Sequence, residues 1–396
     1  MLGKKTNRSL KDVGALSLVS LALLCLVAGP QSASASPSTS TSTPNYTLPS
    51  DHKKPVNPYA VTSAERFPSL ERKLRGTSGF VGGDSAYSIV LSPNKSLWLF
   101  GDSFIGKIAA DGKRKDCKMV RNTVALDDPT KPAARPTFYV QEPAFFKCGK
   151  NFYWPGDGLM YKGKLYVFMH ETESAPKQRP PFQFNPLHDH LMIVQNPMDS
   201  PPTWKIKEYN FLNPSSNRQL GIATVLDGDY IYIYLSNTAI RVGLWKNPTG
   251  VARLKKSDLE AGKIENLEWL ADGGWQPKPA FLDTMWEDGT SEMTVTKVSG
   301  LPGFFAFYLP FGNNAIMMRH ADRPDGPWSK PVVAYTLPKA SKDIFFYSAK
   351  AHPQYSKGKG EVALTYCDNS SVFSRVLNDA KLYFPTALKV KITAVQ

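Results

Sequence analysis

Three carboxylates open three apolar runs that share one pattern. Asp84 in GGDSAYSIVLSPNKSLWLFGDS, Asp157 in PGDGLMYKGKLYVFMHE and Glu292 in SEMTVTKVSGLPGFFAFYLP each precede a short apolar run, a small turn and a second, more aromatic run. Two further copies lack the acid: GIATVLDGDYIYIYLSN from Gly221, and SAKAHPQYSKGKGEVALTYCDN, which has Lys350 at the matching place. Glycoside hydrolysis needs this inventory. One carboxylic acid protonates the leaving oxygen and a second carboxylate activates water or attacks, because the transition state is cationic at the sugar carbon. A third acid can tune the first by like charge. Glycines beside Asp84 and Asp157 leave the carboxylates unshielded and let the backbone approach a ligand. Gly-Asp and Asp-Gly are also ordinary turn dipeptides, and Asp102 in Phe100-Gly101-Asp102-Ser103 could simply turn a strand end. The shared register favours a functional reading for Asp84, Asp157 and Glu292.

Elements that bring such residues together must recur and converge. Taking Asp84, Asp157, Gly221, Glu292 and Lys350 as equivalent gives steps of 73, 64, 71 and 58 residues, about one four-stranded blade with generous loops. The expectation is an all-β chain, a five-bladed β-propeller over residues 59–396, with its innermost strands meeting on one axis. The second runs (LWLF, LYVF, YIYIY, FFAFY and VALTY) have the β-branched and aromatic content of strands buried on both faces. Pro93-Asn94-Lys95, Lys162-Gly163, Asp227-Gly228 and Pro302-Gly303 supply turn chemistry. One short stretch, Lys255 to Gly262, reads as helical, and Glu173 to Asn185 reads as a loop over the funnel.

Strand alternation places Asp102 and Glu171, which end second runs, at the opposite end from Asp84. Other candidates each carry a structural alternative. His352 could bind substrate or hold a cation, or be a satisfied core histidine. Tyr153 and Trp154 could stack on a sugar ring or belong to the core. Arg121-Asn122 and Asn313-Asn314 suit sugar hydroxyls or cap turns.

The N-terminus reads as a leader. Lys4, Lys5, Arg8 and Lys11 precede an apolar run from Ala15 to Ala28 and small residues at Ala33-Ser34-Ala35, the pattern of a signal peptide over residues 1–35. An uncleaved membrane anchor is the rival reading. Residues 36–58 form a disordered Ser/Thr/Pro linker, too poor in apolar side chains to offset the entropy of ordering. Secretion, extracellular or periplasmic, is therefore expected. Without the leader's four basic residues and Asp12 the charge falls from +14 to +11, a balance suited to acidic envelope surfaces. Nucleic acid is not expected as a partner, since Lys and Arg are scattered; the partner is a polysaccharide and the chain a monomer. Export would permit Cys117 and Cys148 to pair, leaving Cys367 packed in a strand. No dinucleotide fingerprint or P-loop occurs, so no cofactor is expected beyond a Ca or Na ion in the oxygen-rich funnel.

The ordered strings GGDSAYS, WLFGDSFIG, RNT, YWPGDG, LYVF, Ser291-Glu292, DGPWS and YSAKAHP, from about Phe80 to Asn369, resemble a secreted actinobacterial and related family defined as a domain of unknown function, some of whose members are endo-D-arabinanases. The resemblance implies a five-bladed propeller and inverting hydrolysis by acidic residues at these motifs. Carried over residue by residue, it favours Asp84 and Asp102, against the strand-direction argument, and adds Asp157. Ser85 and Thr123 depart from the family's usual Gly and Ser, and neither removes a carboxylate. The expected function is a secreted glycoside hydrolase acting on envelope polysaccharide, arabinan included. The alternative is a catalytically silent propeller that binds a glycan or protein.

Overall fold

A computed structural model describes residues 54–178, 183–211, 218–237 and 247–395. The leader and nearly all of the Ser/Thr/Pro stretch lie outside the described residues. The described chain is all-β with three short helices. Its strands form six sheets. Five of them contain, in chain order, the strands Tyr87–Ser92, Asn151–Tyr161, Arg218–Asp227, Met293–Thr296 and Ile344–His352, one from each sequence copy. Each pairs antiparallel with its copy's second run: Lys95–Phe100, Lys164–Ser174, Tyr230–Asn237, Phe304–Tyr308 and Glu361–Ser370. These second strands are almost wholly buried, Phe304–Tyr308 along its whole length, which is why they read as unbroken apolar runs.

The leading strands stand side by side in sequence order, and the first and last also meet. Ser88 Oγ lies 2.6 Å from His352 Nδ1, and the Tyr347 hydroxyl donates to Asp84 at 2.7 Å. The circuit is therefore closed. The last sheet is completed by the strand Tyr59–Arg66, paired with Thr386–Ala394, so both ends of the described chain are stitched into one sheet.

The sixth sheet is an excursion from the first copy. Ser78–Gly83, Ser103–Ile108 and Arg114–Val120 form a separate three-stranded unit. Buried Arg114 fastens it, its guanidinium donating to the carbonyls of Val81 and Leu382. Phe80, Trp98, Phe100, Phe104 and Phe384 fill the space between this unit and the ring.

Several expectations need correcting. The helix near Lys255 is present as Lys256–Ala261, closed by Gly262 at φ 71°, but Pro68–Leu74 and Phe373–Asn378 are helical too. The first of these carries the cues of Pro at its start, Glu71 in the first turn and Arg72 and Lys73 in the last. The segment from Glu173 to Asn185 is a connection entered and left by paired strand ends, Glu173 opposite Asn185 and Ser174 opposite Phe184, with Ala175 to Gln178 in a turn; residues 179–182 lie outside the described set. Cys117 and Cys148 are free thiols in different sheets, while Cys367 is buried as expected. The five aligned positions are also not one structural position. Regular pairing resumes at Tyr87, Gly158, Ala223 and Lys350, after bulges in the second, third and fifth copies. Asp84 lies three residues before that point, Asp157 one before, and Lys350 on it.

Candidate active site

Asp84 and Asp102 stand at the two places where the chain crosses between the three-stranded unit and the first sheet of the ring. Asp84, Ser85 and Ala86 link the strand ending at Gly83 to the one starting at Tyr87, and Gly101 and Asp102 link Phe100 to Ser103. The crossings touch: the Gly101 amide donates to the Asp84 carbonyl at 3.1 Å. Antiparallel pairing puts the end of one strand beside the start of its neighbour, so the expectation that Asp102 lies opposite Asp84 is wrong. Ser85 and Ala86 hold φ of 61° and 49°, a left-handed conformation that costs about 1 kcal/mol or more per non-glycine residue and is commonest at functional sites.

Both side chains are fully buried. Asp84 Oδ2 accepts the Tyr347 hydroxyl at 2.7 Å and the Tyr383 hydroxyl at 2.9 Å. Asp102 accepts the Trp154 indole N–H at 3.1 Å and Arg121 Nη1 at 3.3 Å. Burial raises the Asp102 pKa, opposed by the charge of Arg121 and by those two hydrogen bonds.

Asp157, in the second copy, faces the third. Its Oδ2 accepts the Thr224 amide at 2.7 Å and the Thr224 hydroxyl at 3.2 Å. Burial nevertheless pushes its pKa up to about 7. Glu292 is 1% exposed and ion-paired to the fully buried Lys350, with Nζ 3.2 Å from Oε1; Ser348, at φ 59°, donates to the same oxygen. Glu292 Oε2 is buried without a partner. The Lys350 ammonium lies 4.2 Å from the centre of the Tyr87 ring. Burial lowers its pKa, while Glu292 and Asp157 raise it. The Tyr87 phenol feels both Glu292 and Asp157, and the Cys367 thiol feels Asp84, Glu292 and Lys350. Acids of three copies thus gather here: Lys350 pairs with Glu292 and acts on Asp157 through its charge, and Ser348 bridges Glu292 to the Ser85 carbonyl beside Asp84.

These crossings and acids fall inside a recognised sequence family. A family model described as Domain of unknown function (DUF5005) matches residues 69–391. The chain belongs to this family. Among solved structures it is similar to a Bacteroides ovatus protein described as a candidate hydrolase, with 18% identity and a TM-score of 0.64 over 83% of this chain and 90% of that one. It overlaps more loosely with a GH43_1 enzyme from Xanthomonas citri (14% identity, TM-score 0.43, 83% and 94% covered) and with Zg3597, a family 117 glycoside hydrolase from Zobellia galactanivorans (12%, 0.44, 85% and 90%). At such identities only the fold is informative, and only the first overlap is close enough to carry it. No curated protein matches the chain.

In this DUF5005 chain the softer candidates divide. Trp154 and Arg121 are at the site, but as partners of Asp102: Trp154 is 1% exposed and Arg121 stacks over Phe152 at 4.0 Å. Tyr153 is buried and donates to Glu208, in a separate network with His190 and Glu171, so it offers no sugar-stacking face. Asn122 is spent on the backbone of Phe146 and Tyr153. His352 is a core histidine held by Ser88 and Thr365 and packed on Trp98, its pKa lowered by burial to about 3. Exposed Asn313 accepts the Asn314 amide and lines a recess of about 730 Å³ with Pro310 and Phe311. That recess follows the strand paired to Met293, the residue after Glu292.

Sequence reasoning missed Tyr347, Tyr383, Ser348 and Thr224 and gave Lys350 no role. Lys350 had a signal, a cation in the register of the acids. Tyr347 and Ser348 lie within the string YSAKAHP but were given no role, and Tyr383 had no signal, because a buried tyrosine reads as core. Among the described residues no group of three His, Cys, Asp or Glu is placed to hold a metal ion.

Proposed function

We propose that this protein is a five-bladed propeller glycoside hydrolase, exported to act on an envelope or extracellular polysaccharide, with arabinan the first polymer to test. The five ring sheets would be the blades and the three-stranded unit an insertion in the first. The observation that carries this reading is the difference in surroundings among converging carboxylates. Asp157, with a pKa of about 7, keeps its proton to near-neutral pH and suits the acid that protonates the leaving oxygen. Asp84, oriented by two phenols, suits the base that takes the proton from the attacking water. Lys350 holds Glu292 and adds positive charge near Asp157, limiting how far burial raises that acid. Asp102 orients the first crossing through Trp154 and Arg121. Inversion and endo action rest on the family resemblance alone; inversion would require roughly 6.5–9.5 Å between acid and base. Export rests on the leader, and adhesion of the monomer to acidic envelope surfaces on the +11 charge.

A second reading is a silent propeller that binds a glycan. Near-complete burial favours it: Asp84 and Lys350 are 0% exposed and Glu292 1%. Incubation of the mature protein with arabinan, arabinogalactan, levan and xylan separates the two. Released oligosaccharides support the hydrolase; binding without product supports the silent module.

A further inference from the structure

Away from the carboxylates, a cleft of about 470 Å³ opens between the outermost strand of the second sheet, Ile206–Phe211, and the outer part of the third. Its walls include Tyr209, Phe211 and Trp269, with Arg218, Glu265 and Lys278 around them. The aromatic positions are fixed. Tyr209 and Phe211 meet edge to face at 5.2 Å, and Phe211 stacks on buried Phe168 at 6.1 Å. The Arg218 guanidinium lies 5.9 Å from the Trp269 ring and donates to the Ala280 carbonyl at 3.0 Å.

We propose that this cleft is a second glycan-binding site, holding a neutral stretch of polysaccharide on the flank of the protein. Aromatic faces pack against the C–H face of a sugar ring, and hydroxyls, each both donor and acceptor, suit a rim carrying two cations and a carboxylate. A strongly charged ligand would meet an opposing charge on that rim. The rival occupant is an extended peptide added to the edge strand. The turn at Ile264–Leu267 lines the same cleft, and the side chain of Lys207 on that strand reaches within 3.9 Å of where a Gly262 side chain would begin. The third sheet's turn thus approaches the edge strand, whose Ile206, Lys207, Glu208 and Asn210 are exposed, while the half-buried Tyr209 and Phe211 of the same strand line the cleft and favour a ring-stacking occupant. The volume falls within the usual range for small-ligand sites.

The inference rests on the polysaccharide reading above, and its test separates the two. Wild type, Asp84→Asn and the double variant Tyr209→Ala/Trp269→Ala are run through native gels containing arabinan, arabinogalactan, levan or xylan, and assayed on the polymer and on a short oligosaccharide from it. The expected result is retardation of wild type and Asp84→Asn by the same polymer. The double variant should lose about tenfold in affinity, with KM for polymer raised as much and short-substrate turnover unchanged; that turnover also shows that it is folded. Equal retardation of wild type and double variant overturns the cleft, as does polymer cleavage without retardation. A wild type that neither cleaves nor is retarded by any polymer overturns both readings, and retardation abolished by an added extended peptide but not by oligosaccharide assigns the cleft to the rival.

Discussion

Replacing Asp157 with Asn should make the protein more stable at neutral pH while removing its activity. The carboxyl has an ordinary pKa of 3.8 and one of about 7 in the fold. Between those values the folded state keeps a proton that the unfolded state has released, so stability falls as pH rises, by about 1.4 kcal/mol per unit. Over some three units the cost reaches ~4 kcal/mol near pH 7 and stays there above it. Asn is neutral at every pH, and its amide oxygen can still accept from Thr224, so Asp157→Asn avoids most of that cost. Unfolding entropy of ~2.1 cal/mol/K per residue over the 338 residues from 59 to 396 makes 4 kcal/mol worth about 6 °C. Thermal unfolding of both proteins at pH 4, 6 and 8 reads the effect. The melting temperatures should nearly coincide at pH 4 and separate by several degrees at pH 8, with the variant higher. A constant offset, or a variant that melts lower at pH 8, would refute the assignment of a burial-raised acid at Asp157.

Lys350→Met leaves Glu292 buried without its cation and should cost about 3–5 kcal/mol in urea unfolding, most of it regained by adding Glu292→Gln; no recovery in the double variant would show that the pair is not coupled. His352, with a folded pKa of about 3 against ~6.5 unfolded, contributes stability that is full above pH 6.5 and is lost at ~1.4 kcal/mol per unit as pH falls towards 3. A His352→Gln variant should therefore show a shallower acid loss, and an unchanged slope would count against a buried neutral imidazole. Intact mass after alkylation in denaturant should show Cys117, Cys148 and Cys367 all labelled without reduction; a mass two hydrogens short and two labels missing would show a disulfide.

The repeat was legible because each copy's second run is buried on both faces, and hydrophobicity alone marks such strands. The ring's closure was not. Tyr59–Arg66 pairs with a strand more than 300 residues away, and its half-exposed side chains carry no apolar pattern. Register was not legible either, since the bulges before Gly158, Ala223 and Lys350 displace the matched residues Asp157, Gly221 and Lys350 differently without changing their neighbours in sequence. Asp102 was legible only through the family strings. The excursion Ser103–Val120 brings the chain back at the same end of the ring, and nothing between Ser103 and Val120 announces a separate sheet. Asn122 and Tyr153 misled for the opposite reason: their polar groups are consumed by backbone carbonyls and by Glu208, which composition does not reveal.

The most direct test of the central claim is the rate of reducing-end release from whichever polymer the wild type cleaves, compared with Asp84→Asn and Asp157→Asn under the same conditions. Each variant should lose at least about 10²-fold while keeping a cooperative unfolding transition. Wild-type rates in both variants, or no product from any of the four polymers, would contradict a carboxylate-catalysed glycoside hydrolase at this site.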